Sequence, residues 1–210
     1  DKVKAFICTQ DLKDEDYVNS HYVIMATKMG QVKKTSLEQY SRPRSNGINA
    51  ITIKDDDELL EAKLTNGNSQ IMLAVKSGKA IRFEENKTRP MGRNASGVRG
   101  IRLKDNKDEV VGMISVNDMD ANILVVSENG FGKRSSLEDY RLTNRGGKGV
   151  KTISITEKTG KLVTLKSVSD NDDLMIINKS GIAIRMQVED LRVMGRATQG
   201  VKVISIKEGD

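Results

Sequence analysis

The sequence is poor in the residue types that build most catalytic and metal sites. Its 210 residues include one cysteine, one histidine and no tryptophan, and only 3% are aromatic. Cys8 is alone, which excludes an intrachain disulfide and fits a reducing compartment. His21 is also alone, which argues strongly against a zinc site. We therefore expect no metal site and no catalytic residue here. The scarcity of rings also argues against binding of single-stranded nucleic acid, which relies on base stacking.

Long apolar runs are absent too. No run approaches the length needed to cross a bilayer, so we expect no membrane partner. The chain starts at Asp1 rather than at a methionine, and we expect it to be a fragment of a longer protein. Eighteen glycines against two prolines indicate many tight turns.

Positive charge is in excess. Lys plus Arg number 35 and Asp plus Glu number 29, which gives a net charge of +6. This balance favours a polyanionic partner. The stretch "TNRGGKGVKT", residues 143–152, concentrates three cations and three glycines without a carboxylate. Taken alone, this stretch fits either a solvated turn or a phosphate-binding site.

A repeat of about 50 residues occurs four times along the chain. Each unit has an apolar strand, a short turn ending in glycine and a second strand, which together predict a β-hairpin. A further strand precedes each hairpin. A second glycine follows it, with an isoleucine four residues later that opens an alternating strand. We predict one domain, residues 1–210, with units of about four strands at 1–57, 58–108, 109–160 and 161–210. The turn glycines are Gly30, Gly78, Gly130 and Gly181, the second glycines are Gly47, Gly97, Gly149 and Gly200, and the isoleucines are Ile51, Ile101, Ile153 and Ile204.

The hairpin strands indicate how the units pack. "IMLAV", "ILVV" and "LMII" are apolar on both faces, so each must be buried between two sheets. This predicts an all-β array of stacked blades arranged radially, as in a propeller. No amphipathic helix of useful length is predicted. "SLEQY" and "SLEDY" are each long enough for one helical turn, with Ser36 or Ser136 as the cap.

Cations recur at equivalent positions of the four units. One lies four residues after each turn glycine, and others fill the long connection that follows each hairpin. In a radial array these cations would form a continuous rim, which we call the basic belt, with the acidic runs "KDDDE", "KDNKDE" and "SDNDD" largely off it. A curved row of cations matches the phosphates of duplex DNA, so we predict sequence-tolerant DNA binding, with glycines that let the backbone approach a phosphate. The predicted DNA-binding residues are Lys33, Lys34, Arg42, Arg44, Arg82, Arg89, Arg93, Arg99, Lys133, Arg134, Arg141, Arg145, Gly146, Gly147, Lys148, Lys151, Arg185, Arg192, Arg196 and Lys202.

Two other classes of function stay open at this point. A propeller used as a protein-docking platform would expose an aromatic or apolar patch. An enzyme with a site in a central channel would need converging catalytic groups. Tyr40 and Tyr140 could be proposed as catalytic nucleophiles, but we interpret them as packing residues of duplicated connections.

Several long strings resemble the C-terminal domain of the DNA gyrase A subunit. They are "MATKMGQVKKTSLEQY", "RPMGRNASGVRGIRL", "NGFGKRSSLEDY" and "VMGRATQGV". The related domain of the topoisomerase IV A subunit is the nearest alternative. The resemblance implies a β-pinwheel, a propeller-like disc whose blades exchange a strand and whose basic edge binds and wraps duplex DNA. It also implies a cytoplasmic, nucleoid-associated heterotetramer with the gyrase B subunit. ATP and magnesium would act elsewhere in that assembly, so no cofactor is expected here.

Two features depart from that family's pattern. Its full domains usually have six blades, whereas this chain has four units. The family's wrapping motif, the gyrase A box "QRRGGKG", normally lies near the first blade. Here "TNRGGKG" lies in the third unit and has Thr143 and Asn144 in place of Gln and Arg. We interpret it as a box-like repeat, expect the true box upstream of Asp1, and expect this fragment to bind DNA but wrap it poorly.

Overall fold

The computed structural model describes residues 2–206, and most of its regular secondary structure is β-strand. Within these residues three antiparallel sheets have four strands each and a fourth sheet has two. The strands are β1 (Tyr22–Thr27), β2 (Gln31–Ser36), β3 (Leu59–Thr65), β4 (Gln70–Val75), β5 (Lys79–Glu84), β6 (Val98–Arg99), β7 (Val110–Val116), β8 (Asn122–Ser127), β9 (Phe131–Ser136), β10 (Val150–Lys151), β11 (Leu162–Val168), β12 (Asp173–Ile177), β13 (Ala183–Gln187) and β14 (Val201–Lys202). The sheet orders are β3-β1-β2-β6, β10-β5-β4-β7, β11-β8-β9-β14 and β12-β13. The all-β, bladed fold class is confirmed.

Each four-stranded sheet combines three separate parts of the chain. A hairpin supplies the two central strands, the next long strand pairs with its first strand, and a two-residue strand from the following unit pairs with its second. In the first sheet, β3 pairs with β1 and β6 pairs with β2. The sequence analysis placed β3, "LLEAKLT", with the hairpin that follows it, but its hydrogen bonds join it to the hairpin that precedes it. Neighbouring blades therefore interlock through exchanged strands.

The central strands are buried on both faces, as predicted. On β4, Ile71 and Leu73 pack in the cluster shared with the first sheet, whereas Met72 and Ala74 pack in the cluster shared with the third. β1 and β8 likewise contribute to clusters on both of their faces. The fourth sheet differs, because Met175 and Ile177 on β12 are exposed.

Helical segments are short. The helix α1 (Glu15–Ser20) was not predicted, and the Asp14 side chain caps it by accepting a hydrogen bond from the Tyr17 N–H. One 3₁₀ turn follows each hairpin, at Leu37–Tyr40, Glu85–Lys87, Leu137–Asp139 and Val188–Asp190. The predicted cap is present at Ser136, whose hydroxyl accepts from the Glu138 N–H, but not at Ser36.

Two groups of predicted strands are not strands. "VKAFIC" at the start of the chain has no strand partner, and neither do "ITIK", "IRLK" and "ISIT". The alternating apolar and polar pattern of the last three segments has another cause. Ile101 and Ile153 are buried, and the backbone N–H of each donates to a turn glycine, Gly30 or Gly78. The short strands that the connections do form lie just before these isoleucines, immediately after the second glycine.

The second glycines are required where a connection crosses the preceding hairpin. Gly97 has φ +92°, and a Cβ there would lie 2.5 Å from the carbonyl oxygen of Val32. Gly149 and Gly200 meet the equivalent carbonyls of Ala80 and Gly132. Gly47 has a similar φ of +81°, but a Cβ there would meet nothing within 4 Å.

We therefore expect Gly97→Ala and Gly47→Ala to differ in stability. Both place a Cβ in the left-handed region, which costs about 1–2 kcal/mol. Only Gly97→Ala also forces backbone atoms apart, which adds about 1–3 kcal/mol. Denaturant unfolding of the two variants measures the difference. Equal losses would show that the close crossing at Val32 is not a constraint.

Candidate nucleic-acid interface

The segments that follow the four hairpins lie side by side. We call them connections one to four, residues 37–58, 85–109, 137–161 and 188–206. At each junction a backbone N–H five residues after the second glycine donates to a carbonyl two residues before the next second glycine. These bonds are Thr52 N to Ala95 O at 3.3 Å, Arg102 N to Gly147 O at 2.8 Å and Ser154 N to Thr198 O at 3.0 Å. The connections thus form one continuous layer across the blades.

Two sets of exposed cations occupy equivalent places in this layer. Arg89, Arg141 and Arg192 lie eight residues before the second glycine. Arg99, Lys151 and Lys202 lie two residues after it, in the short strands β6, β10 and β14. Their partners on the neighbouring strands are also equivalent: Gln31, Lys79 and Phe131. Together with other exposed cations in the connections, they define the exposed belt: Arg42, Arg44, Arg89, Arg99, Arg141, Lys148, Lys151, Arg192 and Lys202.

The cations four residues after the turn glycines make contacts between blades instead. Arg82 donates from Nη1 to the carbonyl of Leu137 at 2.9 Å, at the start of the next 3₁₀ turn, and to that of Tyr140 at 3.0 Å, just after its end. The buried Arg134 binds the carbonyl of Leu191, which is equivalent to Tyr140, and also Asp170. The sequence analysis placed these side chains on the belt, but the structure directs them at the neighbouring blade.

Lys34 and Arg185 complete this set in different surroundings. Lys34 is buried and pairs at 2.8 Å with the fully buried Glu85 of the next blade, with its Nζ over the ring of Tyr22. Arg185 is exposed on β13 and pairs with Asp173 of its own hairpin. The same position in the repeat therefore holds a buried or an exposed cation, depending on what packs against it.

Lys33 and Lys133 are also buried. Lys33 donates to the carbonyls of Ala50 and Arg93, and Lys133 donates to the carbonyl of Gly195 at 2.6 Å. Burial lowers the pKa of each amine, for Lys33 together with the nearby charge of Arg93, and each pKa is about 8. Both were predicted to bind DNA, but their amines are enclosed by carbonyls.

The box-like stretch borders a small pocket. Arg141, Thr143, Lys148 and Gly149 are among the residues around a cavity of about 140 Å³. Gly147 also lines it, whereas Gly146 has φ +83° and donates its N–H to the carbonyl of Gly100 at 2.6 Å. The exposed Arg141 and Lys148 thus converge on one concave site.

Carboxylates lie closer to the belt than the sequence analysis predicted. Asp55 and Asp56 line a cavity of about 740 Å³ together with Arg99 and Arg102. Asp57 accepts from the Met29 N–H, and Asp108 accepts from the Ser77 N–H, so these two acids hold hairpin turns. The exposed Arg102 was not among the predicted DNA-binding residues. Its counterparts in the other units are Thr52, Ser154 and Ser205, so a charge does not recur at this position.

The tyrosines of the connections pack as expected. Tyr140 is buried and its hydroxyl bonds to that of Thr152, and burial raises its pKa. The hydroxyl of Tyr40 donates to the carbonyl of Ala50 at 3.0 Å. Each ring therefore anchors its own connection.

These features define a class of protein: an all-β domain of interlocked blades with cations displayed on successive connections. The model of the family described as "DNA gyrase C-terminal domain, beta-propeller" matches residues 21–66, 70–117, 121–169 and 172–210. Each of the first three matched segments contains a hairpin, its connection and the long strand that pairs with that hairpin. The chain belongs to this family, and the resemblance found in the sequence is confirmed.

Relatives and solved structures agree with this assignment. The chain is 42% identical over 208 residues to the DNA gyrase A subunit of Staphylococcus epidermidis strain ATCC 12228, covering 99% of this chain and 23% of that protein. It is 44% identical over 206 residues to the corresponding protein of Staphylococcus aureus strain MRSA252, covering 97% and 23%. The chain thus spans about a quarter of these relatives.

Two solved structures share the fold. The C-terminal domain of DNA topoisomerase IV has a TM-score of 0.84 at 26% identity, covering 89% of this chain and 58% of that one. The DNA gyrase A C-terminal domain has a TM-score of 0.81 at 25% identity, covering 90% and 63%. Across residues 2–206 no helix has the length and apolar character to cross a membrane.

The two environments of the inter-blade arginine predict a difference in stability. Arg134→Met removes hydrogen bonds to buried carbonyls, and we expect it to lower the free energy of unfolding by about 2–4 kcal/mol. Arg185→Met, at the equivalent position, removes only an exposed ion pair and should leave that free energy nearly unchanged. Denaturant unfolding tests both. Similar losses would contradict the buried structural role of Arg134.

The buried lysines predict a pH dependence of stability. Between about pH 8 and 10 the folded chain has lost protons that the unfolded lysines, with a pKa of about 10.4, still hold. The free energy of unfolding should therefore rise with pH in this range, relative to the double variant Lys33→Met/Lys133→Met. Below pH 7 the difference between the two proteins should be constant. A constant difference up to pH 10 would show that both amines keep their ordinary pKa.

Proposed function

We propose that this domain binds duplex DNA along the exposed belt, without dependence on base sequence, and bends it around the blades. The observation that carries the proposal is the hydrogen-bonded layer of connections, which sets equivalent exposed cations side by side across junctions. Phosphates recur regularly along a duplex, and cations that neutralise them release counterions, which drives association. No recognition helix is present among the described residues, which fits contacts to the backbone rather than to bases.

The energetic requirement for bending favours a distributed surface. Smooth bending of a 20–30 base-pair site by 40–90° costs about 1–6 kcal/mol. One cluster of charge would hold only a short, straight segment. Cations spread over three or four blades can offset this cost along the whole curved path.

The family of this chain supports a proposal for the role of the domain in its parent protein. We propose that it guides DNA for ATP-dependent negative supercoiling by a cytoplasmic heterotetramer of gyrase A and B subunits. Strand cleavage, ATP hydrolysis and the use of magnesium would belong to other parts of that assembly. In this scheme the chain contributes DNA binding and no catalytic group of its own.

Salt-dependent affinity tests the proposal. Each lost phosphate contact should reduce the slope of log K against log salt by about 0.9. The triple variant Arg89→Gln/Arg141→Gln/Arg192→Gln should therefore reduce the slope by about 3 and weaken binding to mixed-sequence duplexes. Gel shifts or fluorescence anisotropy at several salt concentrations provide the measurement.

A control with the same change in net charge separates position from total charge. Lys13 lies before α1, and Lys63 and Lys166 lie on β3 and β11, at the sheet edge opposite the two-residue strands. Lys13→Gln/Lys63→Gln/Lys166→Gln should change the slope far less. Equal effects of the two triple variants, or a flat salt response of the unaltered chain, would refute binding along the exposed belt.

A further inference from the structure

We propose that Arg145, the arginine of the box-like stretch, is a positioning residue that holds connections two and three together and leaves DNA contact to exposed cations around it. The link to DNA rests on the proposed function above. That Arg145 holds connections two and three together rests on hydrogen bonds within the chain.

Arg145 directs its guanidinium at the protein backbone. Nε donates to the carbonyl of Lys87 at 2.9 Å, and Nη1 donates to the carbonyl of Arg99 at 2.9 Å. One carbonyl ends the 3₁₀ turn Glu85–Lys87 and the other belongs to β6, so a single side chain bridges the start of connection two and its short strand. The side chain is half-buried, unlike its neighbours Arg141 and Lys148.

The two glycines of the stretch extend the same contact. The Gly146 N–H donates to the carbonyl of Gly100 at 2.6 Å, and the Gly147 carbonyl accepts from the Arg102 N–H at 2.8 Å. The Gly146 N–H is therefore engaged with connection two rather than free to bind a phosphate. One of these bonds fixes Gly100, next to the exposed Arg99, and the other fixes the backbone of the exposed Arg102.

The arrangement recurs at the other junctions. Arg196, four residues before its second glycine like Arg145, donates to the carbonyls of Asp139 at 2.9 Å and Lys151 at 2.8 Å. Arg93, the third equivalent, donates to the carbonyl of Asn49 at 3.3 Å. Lys151 and Asn49 each lie two residues after a second glycine, as Arg99 does. A planar guanidinium can span two separate carbonyls in this way, whereas a lysine amine is a compact single point.

Removing the guanidinium should therefore loosen connection two without unfolding the domain. We expect the amide of Arg102, which bonds to Gly147, to exchange hydrogen about tenfold faster in Arg145→Gln and Arg145→Lys. Lys148→Gln, next to the same glycines, should leave that rate unchanged. Amide exchange at Leu124, in the core strand β8, reports any global loss of stability in the same samples. Unchanged exchange at Arg102 in both Arg145 variants would overturn the proposal.

DNA affinity distinguishes positioning from direct contact. Arg145→Lys keeps the positive charge but loses the planar guanidinium that spans two carbonyls. We expect it to weaken duplex binding about three- to tenfold, with an unchanged slope of log K against log salt. Lys148→Gln should instead reduce the slope by about 0.9. In the background Arg99→Gln/Arg102→Gln, Arg145→Lys should cost less than about twofold, because the cations it positions are gone.

The opposite pattern would show that Arg145 itself touches a phosphate. In that case Arg145→Lys would bind duplex DNA with normal affinity, and Arg145→Gln would reduce the slope of log K against log salt by about 0.9. Both results would also be seen in the background Arg99→Gln/Arg102→Gln. If the unaltered chain binds no duplex, the proposed function fails. The exchange rate at Arg102 still decides whether Arg145 joins the connections.

Discussion

Burial of both faces of the first three hairpins is the constraint on which this structure depends. Apolar side chains alternate between two clusters along β1, β4 and β8, so neither face can be left in water. Complete burial of one such side chain is worth about 1.5–3 kcal/mol, and no single unit can supply a cover for both faces. The units must therefore stack. Stacking of equivalent units then brings their connections into the same relation at every junction, which is why the connections join in one layer.

Within that layer, neighbouring residues determine whether a cation binds a carbonyl or faces solvent. A buried charge is tolerated only when it is hydrogen-bonded, and the free carbonyls at the end of a 3₁₀ turn are suitable acceptors. Arg82 binds the carbonyl of Tyr140 and Arg134 binds that of Leu191, because a following blade presents them. Arg141 and Arg192 lie beyond the turns, where no carbonyl closes over them, and remain available to an external anion. Structural and candidate DNA-binding cations are thus separated by what surrounds them and not by residue type.

Short sequence patterns correctly predicted the structural features that depend on nearby residues. The hairpins, their turn glycines and their two-sided burial follow from composition and spacing within about ten residues. The partner of β3 does not, because an apolar strand satisfies a hairpin on either side and the path of the connection decides. Lys33 and Lys133 look like solvent-facing residues in sequence, since only the fold places carbonyls around them. Arg102 was missed for the converse reason, because a search for repeated charge ignores a cation that occurs once.

Units one and three differ from unit two in what they offer the next connection. Three residues after the turn glycine, units one and three carry Lys33 and Lys133, each of which binds a carbonyl of the next connection. Unit two carries Ile81 instead, and its side chain lies 3.5 Å from where a Cβ of Gly147 would be. An apolar side chain offers no hydrogen bond to the next connection, so the polar contacts at this junction come from other groups. Arg145 and the backbone of Gly146 and Gly147 supply some of them. Arg93 and Arg196 bind equivalent carbonyls at the two junctions that also have a buried lysine. Arg145 and Gly146 therefore contribute to the concentration of positive charge and glycine in that stretch because they contact the neighbouring connection.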